Sequence, residues 1–186
     1  MDRQAQEAFV VALVDALTRR GWAGRTHVHK TVFRLQRAEA LDLGFEFVIY
    51  HYGPYSFELD EMLRDLRSAA ALEVVPDTTG YGAHYAHGPR AAAYLSGYES
   101  EVGKARTAID RVASEWGPRN VRDLERVATA LYVVSHGEMD DATAVGELRR
   151  VKPHFSEAEL REAVREARAL TKGDAGHSGA ASEATA

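Results

Sequence analysis

The sequence contains no cysteine among its 186 residues. Disulfides, Fe–S clusters, cysteine-ligated zinc and cysteine nucleophiles are therefore excluded, and a reducing compartment is the natural setting. Apolar runs are also short, because none approaches the roughly 20 residues that a membrane-spanning helix needs. Asp2, Glu7 and Asp15 interrupt the apolar pattern of the first residues, which is not the layout of a signal peptide. These absences predict a cytoplasmic protein that does not enter the membrane.

Positive charge is scarce as well. Lys and Arg number 23 against 28 Asp and Glu, so the formal net charge is −5 and the sequence pI is about 5.9. Dedicated nucleic-acid-binding domains commonly have a pI above about 9. Non-specific binding to nucleic acid is therefore disfavoured.

Catalytic signatures are missing too: the sequence has no GxSxG, GxxxxGK[ST], GxGxxG or HExxH motif. His27 and His29 flank Val28 near the start of a predicted helix, where side chains two residues apart point about 200° apart and cannot chelate one ion. We therefore expect no enzyme activity, no catalytic residue, no cofactor and no metal. A metal site built from histidines that are distant in sequence stays open.

What the chain does have is an ordinary globular composition, 45% hydrophobic and 27% charged. Apolar residues at helical spacing predict two helices at the start, the second capped by Thr26 and ended by Gly44. The aromatic and β-branched residues over 45–52 predict a strand, which Gly53 and Pro54 break.

The pattern continues with a third helix from Phe57 to Arg67, capped by Ser56. A strand over 72–75, a glycine-rich segment that is either a hairpin or an irregular loop, and a short helix over 91–95 follow.

The second half is helical throughout by its apolar spacing. One helix ends at Gly117, another opens at Asp140 or Asp141, and Ser156 with Glu159 forms a capping box before the last.

Together these elements predict an α+β fold, mainly α. Residues 1–97 follow the element order of a winged helix with a small antiparallel sheet. Residues 98–170 add a C-terminal helical bundle packed on that winged-helix-like core, and residues 171–186 are predicted to be a disordered tail.

Charge is divided unevenly between neighbouring helices. The second helix is basic through Arg25, Lys30, Arg34 and Arg37, whereas the third is acidic. This contrast favours an acidic protein partner or self-association, and a plain solvated face is the alternative. Arg and Tyr are common interface anchors. The predicted partner-binding residues are Lys30, Arg34, Arg37, Tyr52, Tyr55, Tyr81 and Tyr85.

A cluster of unusual residues lies between the first strand and the third helix; it reads His51-Tyr52-Gly53-Pro54-Tyr55-Ser56. In a structural interpretation, Gly53 and Pro54 shape the turn, Ser56 caps the helix and the tyrosines bury their rings. In a functional interpretation, the free amides at the helix start bind an anion beside His51. We favour the structural interpretation for the motif from Tyr52 to Ser56.

The chain resembles a known family at three segments, namely His29-Lys30-x-x-Phe33-x-Leu35-Gln36, Tyr52-Gly53-Pro54-Tyr55-Ser56-x-x-Leu59 and Asp123-Leu124-Glu125-x-x-Ala128-Thr129. They are similar to the SocA-like, or Panacea, antitoxin-associated domain and its YwgA-type relatives. The resemblance implies a winged-helix-like core with added helices that binds proteins without catalysis. It further implies an antitoxin that neutralises a toxin, or an adaptor that delivers one to a protease.

Three functions thus stay in competition. The first is a protein-interaction module, with a toxin or a second copy of the chain as partner. The second is a winged-helix transcriptional regulator that binds DNA, based on element order alone. The third is a ligand-binding protein or enzyme with a site formed by His51, Tyr52, His84 and Tyr85.

Overall fold

The computed structural model describes residues 1–77 and 82–172. Within these ranges the fold is α+β, mainly α. Its helices are α1 (Arg3–Arg20), α2 (Arg25–Ala38), α3 (Phe57–Ser68), α4 (Ala91–Leu95), α5 (Glu99–Trp116), α6 (Val121–Ser135), α7 (Asp141–Val151) and α8 (Glu157–Lys172). Its strands are β1 (Val48–Tyr50), β2 (Gly53–Tyr55), β3 (Leu72–Val75) and β4 (His84–His87).

Helix α2 lies at the centre of the molecule. Every residue from His27 to Leu35 is buried, because α1, α5, α6, α8 and β2 all pack against this helix. A helix enclosed on all sides is usually apolar all round, yet α2 carries histidines, a lysine and an arginine. Their polar groups must find partners inside the protein.

Local capping sets several helix ends as predicted. The Ser56 hydroxyl accepts a hydrogen bond from the Leu59 amide, and an Asp140 carboxylate oxygen accepts one from the Thr143 amide. At the start of α8, a Glu159 carboxylate oxygen accepts hydrogen bonds from the amide and the hydroxyl of Ser156, which is a capping-box arrangement. Helix α2 differs from the prediction: it begins after Gly24 without a side-chain cap and ends at Ala38, before Gly44.

The strand predicted over 45–52 is wrong in its extent. Strand β1 covers only 48–50 and pairs antiparallel with β2, so Gly53 and Pro54 lie within the second strand of a hairpin. Pro54 lies opposite Ile49 in the register. A proline fits where no ladder hydrogen bond needs its missing N–H group. A second antiparallel hairpin pairs β3 with β4, so the strands form two separate two-stranded sheets.

The predicted segments 1–97 and 98–170 share one hydrophobic core, which includes side chains of α1, α2 and α3 as well as α5, α6, α7 and α8. The backbones of the two segments also meet directly. The Trp22 amide donates to the Gly117 carbonyl at 3.1 Å, and a Cβ atom on Gly21 would lie 2.5 Å from the Gly117 carbonyl carbon. Helix α8 continues to Lys172, and the remainder of the predicted tail lies outside the described residues.

The described residues offer neither a membrane span nor a cluster of metal ligands. None of their helices combines the length and the apolar character that crossing a bilayer requires. No group of three or more His, Asp or Glu side chains in these ranges could hold a metal ion.

Candidate functional site

The β1–β2 hairpin and the first residue of α3 carry a group of exposed apolar side chains. This group, called the hairpin surface below, consists of Val48, Tyr50, Tyr52 and Phe57, with exposed fractions of 46%, 47%, 60% and 60%. The rings of Tyr50 and Phe57 meet edge to face at 5.9 Å between centroids. Aromatic side chains of this size are normally buried, so their joint exposure marks this region of the protein.

A cleft lies beside this surface, between the first half of α2 and the hairpin. The residues that line this hairpin cleft are Arg25, Thr26, His29, Lys30, Tyr50, His51, Tyr52, Gly53 and Tyr55. Its volume is about 260 Å³. Three larger depressions, of about 310, 490 and 530 Å³, are lined by no buried ionisable side chain. The hairpin cleft has two, His29 and Lys30, each with at most 2% of its surface exposed.

One wall of the cleft is an ordered set of polar side chains. Arg25 donates from Nε to Asp60 Oδ1 at 2.6 Å and from Nη2 to the Tyr55 hydroxyl at 2.5 Å. Burial favours a higher pKa for Asp60, but hydrogen bonds from Arg25 and Tyr55 outweigh burial and leave that pKa lowered. Asp60 is therefore ionised at neutral pH and fixes the guanidinium at the cleft mouth.

His29 stacks on the Tyr55 ring, with 4.3 Å between the centroids. Its Nδ1 accepts a hydrogen bond from the Ser56 amide at 3.3 Å. Burial, and then the charge of Lys30, lower the pKa of His29 to about 3. His29 is thus a neutral imidazole, and because Nδ1 is an acceptor, its proton lies on Nε2.

Two buried lysines hold the hairpin by its carbonyl groups. Lys30 Nζ donates to the Pro54 carbonyl at 2.7 Å, and Lys152 Nζ donates to the His51 carbonyl at 2.5 Å. Burial, and then the charge of Lys152, lower the pKa of Lys30 to about 7, against an opposing effect of Glu125. The hairpin is therefore anchored to α2 and to the end of α7.

Gly53 makes this anchoring sterically possible. Its φ angle is +89°, in the region that favours glycine. A Cβ atom there would also lie 2.4 Å from Thr129 Oγ1 on α6. In the motif from Tyr52 to Ser56, Gly53 thus brings the backbone against α6 while Ser56 caps α3. Two amides at the start of α3 are engaged: the Ser56 amide donates to His29 and the Leu59 amide to the Ser56 hydroxyl.

The prediction of an exposed basic face on the second helix is wrong for Lys30 and Arg34, which are 2% and 3% exposed. Arg34 donates to Glu115 at 2.5 Å, and its guanidinium lies 5.1 Å from the centre of the Trp116 ring. These partners are far away in sequence, so helical spacing alone could not reveal them. Arg37 is exposed, as expected.

The tyrosines that are predicted to bind a partner differ in their positions. Tyr52 and Tyr55 line the cleft, whereas Tyr85 is buried, because its amide bonds to Ala23 and β4 packs against α1. Tyr85 therefore cannot contact a partner as predicted. Tyr81 lies outside the described residues.

The ligand site predicted from His51, Tyr52, His84 and Tyr85 is not formed as one pocket. His51 and Tyr52 form the turn of the first hairpin and line the cleft. His84 and Tyr85 belong to the second hairpin, and neither lines the cleft. The His84 ring instead packs against Trp22 at 4.5 Å between centroids.

Sequence reasoning missed some of the residues that shape the site. Arg25 is predicted only as part of a basic helix and His29 only as an imidazole that cannot share an ion with His27, while Tyr50 and Phe57 are predicted only as parts of a strand and a helix. The available signal was the spacing of aromatic residues at 50, 52, 55 and 57 around a Gly-Pro turn. Such a dense aromatic cluster exceeds what one short hairpin can bury.

In comparisons with known proteins, no protein-family model matches the chain and no curated protein matches it significantly. The similarity to SocA-like domains therefore stays a prediction.

Proposed function

We propose that this chain is a non-catalytic protein-interaction module and that the hairpin surface is its contact surface. The observation that carries the proposal is the joint exposure of Val48, Tyr50, Tyr52 and Phe57 beside a cleft. Exposed apolar groups of this kind mark interaction sites, and Tyr and Arg side chains such as Arg25 are common energetic anchors there.

The rigidity of the hairpin supports the same proposal. Lys30 and Lys152 each bind a hairpin carbonyl, and Gly53 packs on α6. A surface held in place before binding loses little conformational entropy when a partner docks. Lys30 and Lys152 thus have a structural task in holding the hairpin.

The family resemblance suggests the kind of partner. If the chain acts as SocA-like domains do, the partner is a toxin that the chain neutralises or delivers to a protease. A second copy of this chain is the other candidate, and both are expected in the cytoplasm.

DNA binding is less well supported. A winged helix places its recognition helix, here α3, in the major groove. The exposed face of α3 carries the acidic side chains Glu58, Glu61 and Asp65 against Arg64 and Arg67. Phosphate would repel this face, so contact through α3 gains no counterion-release free energy.

The test is capture of a partner from the organism that encodes the chain, followed by reconstitution with that partner in purified form. We expect Tyr52→Ala with Phe57→Ala to weaken the reconstituted complex at least tenfold, the effect of losing one or two anchors. Val151→Ala is the matched control, because Val151 is an exposed apolar residue on α7. Equal affinity of wild type and double variant would refute the proposal.

Two further measurements separate the alternatives. Sedimentation of the chain alone shows whether the partner is a second copy. Titration with duplex DNA at low and high salt tests the regulator, for which affinity must fall steeply as salt rises.

A further inference from the structure

The hairpin cleft has a surplus of hydrogen-bond donors. His29 Nε2 carries the imidazole proton and has no hydrogen-bond partner among the described residues, since Asp60 Oδ1 lies 3.8 Å away. Lys30 Nζ has three N–H groups and makes one hydrogen bond in this part of the chain, to the Pro54 carbonyl. Both side chains are almost fully buried and line the cleft. Buried donors without partners are unfavourable, so an acceptor from outside would stabilise them.

Charge around the cleft is also unbalanced. Four cationic side chains surround two carboxylates: Arg25 and Arg64 pair with Asp60, Lys152 pairs with Glu125, and Lys30 lies beside Glu125 and Lys152. The cations outnumber the carboxylates, so the surroundings of the cleft favour a negatively charged ligand.

The size of the cleft limits the choice of ligand further. The cleft holds about 260 Å³, below the roughly 300–1,000 Å³ typical of sites for drug-sized ligands and cofactors. It can accommodate a side chain or a small acid. Rings of Tyr50, Tyr52 and Tyr55 line it, and it adjoins the hairpin surface, which favours apolar residues on either side of the inserted group.

We propose that the hairpin cleft binds the carboxylate of a Glu or Asp side chain that the protein partner inserts between α2 and the β1–β2 hairpin. This inference rests on the proposed function and specifies the partner's chemistry. The carboxylate accepts hydrogen bonds from Lys30 Nζ and His29 Nε2, and neighbouring apolar residues of the partner cover Tyr52 and Phe57.

The first test uses the full chain and two short peptides, acetyl-Phe-Glu-Phe-amide and its neutral isostere acetyl-Phe-Gln-Phe-amide. Binding is followed by NMR shifts of the His29 ring and the Lys30 side chain. We expect the Glu peptide to bind at least tenfold more tightly, because a charged carboxylate accepts stronger hydrogen bonds than a neutral amide does. Equal affinities would overturn the proposal. Equally tight binding of acetate would show a site for small free acids and overturn the assignment to a partner side chain.

Substitutions test which side chain causes the preference for the Glu peptide. Lys30→Met should remove the preference for Glu over Gln, and Lys104→Met, which removes an exposed lysine from α5, should preserve it. If Lys30→Met fails to fold, acetic anhydride labelling of the wild type replaces it: the Glu peptide must slow acetylation of Lys30 and the Gln peptide must not. Unchanged labelling with both peptides would refute the proposal.

The outcome of the carboxylate test can be distinguished from the outcome of the test of the proposed function. A partner complex that depends on Tyr52 and Phe57 but is unaffected by Lys30→Met would leave the interaction surface standing and refute the carboxylate site. A complex unaffected by either set of substitutions would refute both.

Discussion

The ammonium of Lys152 lies 2.7 Å from Glu125 Oε1, and both side chains are buried. Lys152 also donates to the His51 carbonyl, so the pair connects the end of α7 to α6 and to the hairpin turn. A buried ion pair contributes little net stability while intact, but its disruption leaves an uncompensated charge. The pair therefore makes the hairpin position depend on the C-terminal helices.

Lys152→Met should lower the free energy of unfolding by about 3–5 kcal/mol, because Glu125 then stays buried without its main cation. Urea denaturation measures the change. The control is Arg150→Gln, which removes a 74% exposed partner of Glu147 and should cost less than about 1 kcal/mol. Similar losses in both variants would show that Glu125 does not need Lys152.

Gly53→Ala should destabilise the protein for two reasons, the positive φ angle and the approach to Thr129. Gly97→Ala shares the positive φ angle, but its Cβ meets no atom within 4 Å. We expect about 1 kcal/mol for Gly97→Ala and at least twice that for Gly53→Ala. The additional loss of stability in Gly53→Ala over Gly97→Ala should shrink when Thr129→Ala is already present. Thermal or urea unfolding compares the wild type, the three single variants, and Thr129→Ala combined with each glycine variant. An unchanged difference between the two glycine variants would rule out the steric cause.

The lowered pKa of Lys30 predicts that the free energy of unfolding rises with pH above neutral pH. Its pKa is about 7 in the folded protein against 10.5 for a free lysine. Between these values the unfolded chain binds more protons, so the free energy of unfolding increases with pH. Lys30→Met should flatten this rise, while Arg37→Gln should keep it. Burial raises the pKa values of Tyr55 and Tyr85, but both tyrosines are present in all three proteins. Parallel pH profiles would contradict the prediction.

The lowered pKa of His29 predicts that the free energy of unfolding falls as the solution becomes acidic. Its folded pKa is about 3 against 6.5 when unfolded, so the unfolded chain binds the extra proton as pH falls through this window. His27, with a pKa lowered by burial, and Asp60, with a pKa lowered by Arg25, act in the same direction. His29→Phe should reduce the slope between pH 6.5 and pH 3, measured by urea unfolding. Equal slopes for the wild type and His29→Phe would contradict the prediction.

Most of the helical fold could be predicted from local sequence. Ser56, Asp140 and the pair Ser156 and Glu159 cap helices as expected, because capping depends on residues within three positions. The two-residue turn between β1 and β2 was missed, since Gly-Pro normally interrupts a strand. The positive φ angle of Gly53 and its approach to Thr129 on α6 together explain why glycine is needed there.

The site was harder to predict because its determinants are distant in sequence. Charged residues in α2 were assigned to solvent by helical spacing, but Lys30 reaches Pro54 and Arg34 reaches Glu115. Spacing shows which side chains share a face of a helix and does not show how many neighbours surround that helix. A central helix with buried cations can be recognised only once those neighbours are placed.

The close backbone contact between Gly21 and Gly117 limits where the chain can be cut into fragments that fold. With backbone against backbone at this point, cleavage near residue 97 would separate Phe33 from Tyr132 and Trp116 from Arg34, contacts that join the two halves. Each fragment would expose apolar surface that its other half now covers. Expression of the first 97 residues alone should therefore yield aggregates, and a working binder requires both halves in one chain or refolded together.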